Sequence, residues 1–374
     1  MMSKHLLRSS LVGAALLLAG STAWAQIYFG VALPLNGPRA AVGRSIKQGV
    51  DLAVADINRS GGILGKQLQA QYEDDGGETP EAAVSAVEKL LKQYKPPVVL
   101  GPHFDTLHLA VQRRFCGAAL LVTGASGNAV TGSGCTSVLR MSANDEAHSR
   151  ALVSYAMRSL QLYKIGVLHV EDAYGKAAAD AVVKAMRELG LAPVAIEKHV
   201  PGATDLAQPL GRLATAGAQL VIVWTHDLEA AAAVRQARQL GMPYRMAGSS
   251  SMSQPIFIRR ATAQAAQGTV SSVEFAAGGA GPNSAEFQKR FAQAYGPEPD
   301  NYAAVYYDAV QLAARAIAAA GSTETVRMRE AATSLRYAGA VTTYRCNARG
   351  ECNHQLTITE IDAGSLVQRT TMRF

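Results

Sequence analysis

His103, Asp105 and His108 fall within six positions, a spacing at which a carboxylate and an imidazole can exchange a proton or share a metal ion. Asp105 with His103 or His108 as acid and base would suit a secreted hydrolase. The nucleophile and metal motifs that accompany such chemistry are missing: the chain has no GxSxG elbow and no HExxH. It also lacks a GxxxxGK[ST] phosphate loop, and no GxGxxG follows its first apolar run. A chance grouping on a loop is therefore the preferred reading of the three. A second pair, His226 and Asp227, closes the segment Trp224-Thr-His-Asp227, directly after an apolar run. Strand ends of that kind carry ligand-binding loops in α/β proteins. Trp224 itself reads as a core or rim aromatic, and Tyr302, Tyr306 and Tyr307 open a helix in which some of them must be core.

The remaining reactive side chains are four cysteines, Cys116, Cys135, Cys346 and Cys352. No CxxC occurs and the histidines are not spaced with the thiols, so disulfides are expected and a metal site is not. Four cysteines allow three pairings. The simplest is local, Cys116 with Cys135 and Cys346 with Cys352, the second clipping a hairpin whose turn contains Gly350. No cofactor is expected. The positive charges are spread without a basic run, which excludes the clustered Lys/Arg surface that nucleic acid requires.

These residues need elements to hold them. Ile27–Leu33 is an almost continuous apolar run, as expected of a strand covered on both faces. Ile46, Val50, Ala53, Val54 and Ile57 then follow at helical spacing and stop at Gly61-Gly62. Further strands are expected at Leu68–Glu73, Val98–Leu100, Ala119–Thr123, Ile165–Val170, Val194–His199, Leu220–Trp224 and Val270–Phe275. Helices fill most gaps: Pro80–Tyr94, Glu146–Leu160, Gly175–Leu189, Leu206–Ala216, Glu229–Leu240, Ser284–Tyr295 and Tyr302–Ala320. This alternation predicts doubly wound parallel sheets with right-handed crossovers. The tail departs from it. Ala340–Tyr344, Gln355–Ile361 and Leu366–Met372 read as three strands without helices, forming an antiparallel end of one sheet with the cysteine clip at their first turn.

The ends of the chain set the compartment. Lys4 and Arg8, the apolar stretch Leu11–Ala19 and the small-x-small site Ala23-Trp24-Ala25 have the layout of a secretory signal peptide, cleaved after Ala25. The apolar stretch is too short to span a bilayer. Cleavage removes residues 1–25, leaves 349 residues for two domains, and lowers the formal net charge from +7 to +5. No cysteine follows Ala25 for a lipid anchor.

Over residues 26–374 the sequence resembles the periplasmic leucine/isoleucine/valine-binding proteins of ABC transporters. The motifs that carry this are Phe29-Gly-Val-Ala-Leu-Pro-Leu-Asn-Gly37, Gly49-Val-Asp-Leu-Ala-Val-Ala-Asp-Ile-Asn58 with Gly61, Gly62 and Gly65, and Pro80-Glu-Ala-Ala-Val84. Thr123-Gly-Ala-Ser126, Asp172-Ala-Tyr-Gly175, Arg235-Gln-Ala-Arg-Gln-Leu-Gly241 and Tyr307-Asp-Ala-Val310 continue the series in the family's order. The resemblance implies two α/β lobes joined by a three-segment hinge. The first lobe would take 26–143 and 274–341, the second 144–273 and 342–374. It also implies closure of the lobes on a ligand, a membrane permease as partner, and a monomer.

Carried over residue by residue, the resemblance implies that the Ala125 amide and the Ser126 hydroxyl hold a ligand carboxylate. Asp105 stands where family members often have Ser; it must point away, be protonated or hold an ammonium, and Thr106 could supply the hydroxyl instead. Tyr174 matches the tyrosine beside the ammonium, and Tyr302 a position near the cleft. The family's acidic ammonium partner aligns with Ser250, which leaves Asp227 as a substitute. The expected function is an exported, periplasmic receptor for a branched-chain or hydrophobic amino acid or a related small carboxylate. A receptor or sensor of the same fold for an amide, urea-like or aromatic acid ligand is the alternative, and the hydrolase comes third.

Overall fold

The computed structural model describes residues 26–279, 281–296 and 298–373. The expected leader and its cleavage site lie outside them. The first sheet is assembled from β1 (Gln26–Leu33), α1 (Ala40–Arg59), β2 (Gln67–Asp74), α2 (Pro80–Tyr94), β3 (Val98–Leu100), α3 (Asp105–Phe115), β4 (Leu120–Thr123), α4 (Ala129–Gly132) and β5 (Val138–Arg140). Its strands run parallel in the order β2-β1-β3-β4-β5. The apolar run of β1 is divided by the period of two. Phe29, Val31 and Leu33 join a core with Ile46 and Val50, while Ala32 joins another with Val87, Leu90 and Leu121. Both faces are covered, which is why the run carries almost no polar residue.

The chain then builds a second sheet from α5 (Asp145–Arg158), β6 (Ile165–Val170), α6 (Ala173–Glu188), β7 (Ile196–His199), α7 (Ala207–Thr215), β8 (Leu220–Trp224), α8 (Asp227–Gln239) and β9 (Arg245–Gly248). A 3-10 turn at Ser250–Ser253, α9 (Pro255–Ala261), α10 (Ala263–Ala266) and β10 (Val270–Val273) complete this stretch. The same division holds here. Val221 and Val223 pack with Ala230 and Phe257, whereas Ile222 and Trp224 pack with Leu152 and Val182. Trp224 is fully buried, so the core reading of that residue is the right one.

After β10 the chain returns to the first sheet as α11 (Ser284–Tyr295), α12 (Asn301–Ala320) and α13 (Thr325–Ser334). The short β11 (Tyr337–Ala338) and β12 (Thr343–Tyr344) pair with each other, and β13 (Gln355–Asp362) and β14 (Ser365–Arg373) finish the second sheet. The second sheet has the order β14-β13-β10-β9-β8-β6-β7, with β13 antiparallel to both β10 and β14. The chain thus passes between the sheets three times, after β5, after β10 and before β13.

Two expectations need correction. The three tail strands do not share one sheet: β12 pairs only with β11, and Tyr344, Cys346 and Cys352 belong to the core around the first sheet. The reason is the clip itself. Cys346 and Cys352 are bonded and bridge each other across a tight hairpin, and that hairpin docks on the free edge of β5, with Arg140 donating its N–H to Gly350 O at 2.8 Å and pairing with Glu351 at 3.3 Å. Cys116 and Cys135 form the other disulfide. The second correction concerns His103, Asp105 and His108, which do not share a loop: Asp105 begins α3, and His108 lies fully buried within that helix.

Candidate functional site

A chamber between the two sheets is lined from the first by His103, Phe104, Asp105, Gly124, Ala125, Ser126 and Ser142, with Tyr302 from α12. Tyr174, His226, Asp227, Ser249, Ser250 and Ser251 face them from the second, and Glu274 comes from the crossing after β10. Apart from Tyr302, these residues lie just beyond the carboxyl ends of β3, β4, β5, β6, β8, β9 and β10. That is the expected location of a ligand in α/β sheets. Of the eight residues proposed from sequence, seven line the chamber. Thr106 does not: it is exposed at the second position of α3, pointing away from the turn where Asp105 is buried.

Each wall is held by local chemistry. Thr123 donates its hydroxyl to Pro102 O at 2.8 Å, tying the β3 and β4 loops together. The Ala125 amide donates to Thr123 Oγ1 at 3.1 Å, so this group is already engaged within the turn. Asp105 accepts the Gly127 N–H at 3.1 Å through Oδ1, while Oδ2 has no partner among the described residues. A side chain at Gly127 would collide with that carboxylate, which explains why the turn ends in glycine. Burial, reinforced by the charge of nearby Asp145, pushes the Asp105 carboxyl up to about 7. Asp105 thus turns one oxygen toward Gly127 while still lining the chamber, and burial favours its protonated form.

On the opposite wall, Asp172 caps α6 by accepting the Gly175 N–H at 2.7 Å, which fixes Tyr174 at the start of that helix, facing the cleft. Tyr174 stacks on His226 with ring centroids 5.1 Å apart, and His226 meets Phe104 of the first wall edge-on at 5.3 Å. Ser250, where an acidic residue was sought, and Tyr302 line the chamber from opposite walls. Asp227 is buried and its Oδ1 lies 3.5 Å from Arg39, which stands between β1 and α1 on the first-sheet side. One oxygen of Asp227 is therefore engaged across the cleft, and the other has no partner among the described residues.

Sequence reasoning did not single out Glu274. Its Oε1 accepts the Ala143 N–H at 3.0 Å and faces His148 Nε2 at 3.3 Å, and its Oε2 accepts from Asn301 at 2.9 Å. Burial opposes its ionisation, but His148, His354 and the Asn301 amide outweigh burial and hold the carboxyl down at about 2. The signal available was a lone carboxylate at the end of the expected strand Val270–Phe275, between Val273 and Phe275. His103, beside Tyr302 at 4.3 Å, is pushed down to about 4, chiefly by burial. His108 lines no part of the chamber, so of the two histidines the hydrolase reading paired with Asp105 only His103 stands beside it there. Among the described residues no cluster of His, Cys, Asp and Glu is placed to hold a metal, and no helix is long and apolar enough to cross a membrane.

A profile of the periplasmic binding protein family matches residues 26–365. The chain belongs to that family. Among its relatives, a Leu/Ile/Val-binding protein homologue of Brucella melitensis is 30% identical over 251 residues, 66% of this chain and 67% of that protein. An amino acid binding protein of Pseudomonas aeruginosa is 28% identical over 339 residues, 88% of this chain and 89% of that one. A leucine-binding protein from Thermotoga maritima superposes with a TM-score of 0.86 at 21% identity, covering 93% of this binding protein and 99% of the other. A solute-binding protein from R. palustris in complex with benzoate gives 0.84 at 18% identity, covering 93% and 97%. These two structures establish the fold, two doubly wound lobes.

Proposed function

We propose that this periplasmic binding protein is the exported solute receptor of an ABC importer, closing its lobes on an amino acid or related small carboxylate and delivering it to a membrane permease. The observation that carries the reading is the chamber itself, built from both lobes at their strand ends, with Ser126 on one wall and Tyr174 on the other. Hinged closure around a ligand is an established motion for such a two-lobed arrangement. The named relatives in Brucella and Pseudomonas point to an amino acid, with a branched-chain or hydrophobic one first.

One observation favours a second reading, an amide, urea-like or aromatic acid ligand. Ala125 is the single aliphatic residue among those lining the chamber, beside Phe104, Tyr174 and Tyr302 and five serines from the strand ends of both lobes. A purely aliphatic side chain would find few partners of its own kind there. A thermal-shift screen of the purified protein against amino acids, keto acids, aromatic acids and amides decides between them, with mass spectrometry of any solute released on denaturation. The cognate class should stabilise the protein by about 4 kcal/mol at 1,000 times its dissociation constant. The amino-acid reading is sunk if aromatic acids or amides shift the melting curve and no α-amino acid does.

A further inference from the structure

Arg39 lies in the loop between β1 and α1, on the first lobe, and is not among the residues lining the chamber. Its guanidinium nonetheless crosses to the second lobe. Nη1 lies 3.5 Å from Asp227 Oδ1 and Nη2 lies 3.5 Å from Glu229 Oε1, so each nitrogen serves a different carboxylate at the start of α8. The side chains of Arg39, Asp227 and Glu229 are only 12%, 3% and 4% exposed. The same guanidinium sits 5.1 Å over the Phe104 ring. Gly77 makes the seat for the Arg39 stem, since a side chain there would press on its Cβ and Cδ.

Three charges brought together across a cleft are buried only while the cleft is shut. With the lobes apart, the guanidinium and both carboxylates return to water. An ion pair of this kind comes close to break-even on burial, but removing one partner leaves the other charge buried and uncompensated. Asp227 Oδ2 and Glu229 Oε2 have no partner among the described residues, so the second lobe keeps unspent acceptors around the arginine. Glu229 is further fixed by the Gly202 N–H, 3.1 Å from Oε1. The arrangement also reaches the ligand wall. Arg39 covers Phe104, Phe104 meets His226, and His226 stacks on Tyr174.

We propose that Arg39 is a positioning residue of the ligand site: a clasp that draws the first lobe onto the start of α8 and, through Phe104, sets the His226–Tyr174 face that a ligand meets. The proposal rests on the reading that the lobes close over a solute. It has a consequence for specificity. Because Asp227 Oδ1 answers to Arg39, only its Oδ2 is left for a ligand ammonium, and its first contribution to binding is to keep the chamber shut.

The test measures the distance between the lobes. All four native cysteines are in disulfides, so spin labels attach only to Thr106→Cys on the first lobe and Val200→Cys on the second, both exposed. Distances are recorded without solute and with L-leucine, L-isoleucine, benzoate or benzamide, in low salt and in 0.5 M salt. In the wild type the short-distance population should grow with one of these probes. Arg39→Met should reduce the ratio of short to long populations at least tenfold with that probe, with a matching rise in its dissociation rate. Arg39→Lys should be intermediate, because an ammonium cannot serve both carboxylates and covers Phe104 poorly. Adding Asp227→Asn and Glu229→Gln to Arg39→Met should restore much of the short population, which a general packing defect would not allow. A short population unchanged by Arg39→Met overturns the clasp while leaving closure intact. A wild type that never shows the short distance with any of the four probes overturns the closure reading and the clasp with it.

Discussion

Two buried carboxylates face the same chamber and behave in opposite ways. Glu274, at the hinge end, has both oxygens occupied by Ala143, His148 and Asn301, and its carboxyl is held down at about 2. Asp105, at the first-lobe turn, has one oxygen on Gly127, the other without a partner among the described residues, and a carboxyl pushed up to about 7. Both are less than a tenth exposed, so burial alone does not separate them. The donors do. A carboxylate with both oxygens hydrogen-bonded is part of the frame. One that is buried and half-satisfied still has an oxygen to offer, and Asp105 is such a carboxylate lining the chamber. Glu274 joins α5, α12 and two of the three crossings, whereas Asp105 belongs to a single turn.

The largest expected effect follows from the hinge end. Glu274→Gln would set an amide donor against donors from Ala143, His148 or Asn301, and should destabilise the protein by about 3–5 kcal/mol at pH 7, the range for breaking a buried charged network. Because its folded-state carboxyl is depressed, the contribution of Glu274 is present above its ordinary range near 4.5 and is lost as pH falls through about 2. Urea denaturation at pH 7 and near pH 3 should therefore show the gap between wild type and variant narrowing in acid. An equal gap at both pH values would mean that Glu274 acts through shape and not through charge.

Asp105→Asn sharpens the other half of the comparison, and the sign is reversed. A carboxyl raised to about 7 in the folded protein favours folding below its unfolded value near 3.8, and that advantage fades as pH rises through 7. The wild type bears the cost of an ionised, half-satisfied Asp105 above pH 7; the asparagine does not, since its carbonyl can still accept the Gly127 N–H. Each tenfold difference in proton affinity between folded and unfolded chains is worth about 1.4 kcal/mol, so the variant should be more stable than the wild type by roughly 2–4 kcal/mol at pH 8. That advantage should fall toward zero near pH 4. Thermal melts across that range are the measurement. A variant less stable than the wild type at pH 8 would show that Asp105 is satisfied and ionised after all.

The two residues also differ in how far the sequence exposes them. Val98–Leu100, Ile165–Val170 and Leu220–Trp224 are short apolar runs that become strands with the bounds expected of them, and the residues that follow them line the chamber. A site built at strand ends is legible because the strands are. Shorter or more polar elements escaped. Val138–Arg140 is three residues long and ends in a buried arginine, and Arg245–Gly248 contributes only Met246 and Ala247 as apolar signal. Helix α3 buries His108 and Gln112 beside Leu107 and Val111, which blurs its apolar stripe and makes Asp105 read as part of a loop. The functions of Glu274 and Arg39 were hidden for a different reason. Each has a principal partner more than a hundred residues away in the chain, His148 for Glu274 and Asp227 for Arg39, and no local pattern encodes that.

The smallest expected effect tests where the boundary of the site falls. Thr106 is adjacent to Asp105 and carries the hydroxyl that sequence reasoning offered for a ligand carboxylate. In the structure the two neighbours part company at the start of α3: Asp105 turns in to Gly127, and Thr106 is exposed. A helix turns about 100° per residue, so successive residues cannot both face the same turn. Thr106→Ala should then leave stability within about 0.5 kcal/mol of the wild type, as exposed substitutions usually do. Ser126→Ala, in the turn after β4 and lining the chamber, should weaken carboxylate binding by about 1.5–3 kcal/mol if its hydroxyl meets a charged group. Isothermal titration of both variants with the solute found in the thermal-shift screen gives the contrast directly. Equal losses from the two would place the Thr106 hydroxyl within reach of the solute, and would mean that the start of α3 rotates as the lobes close.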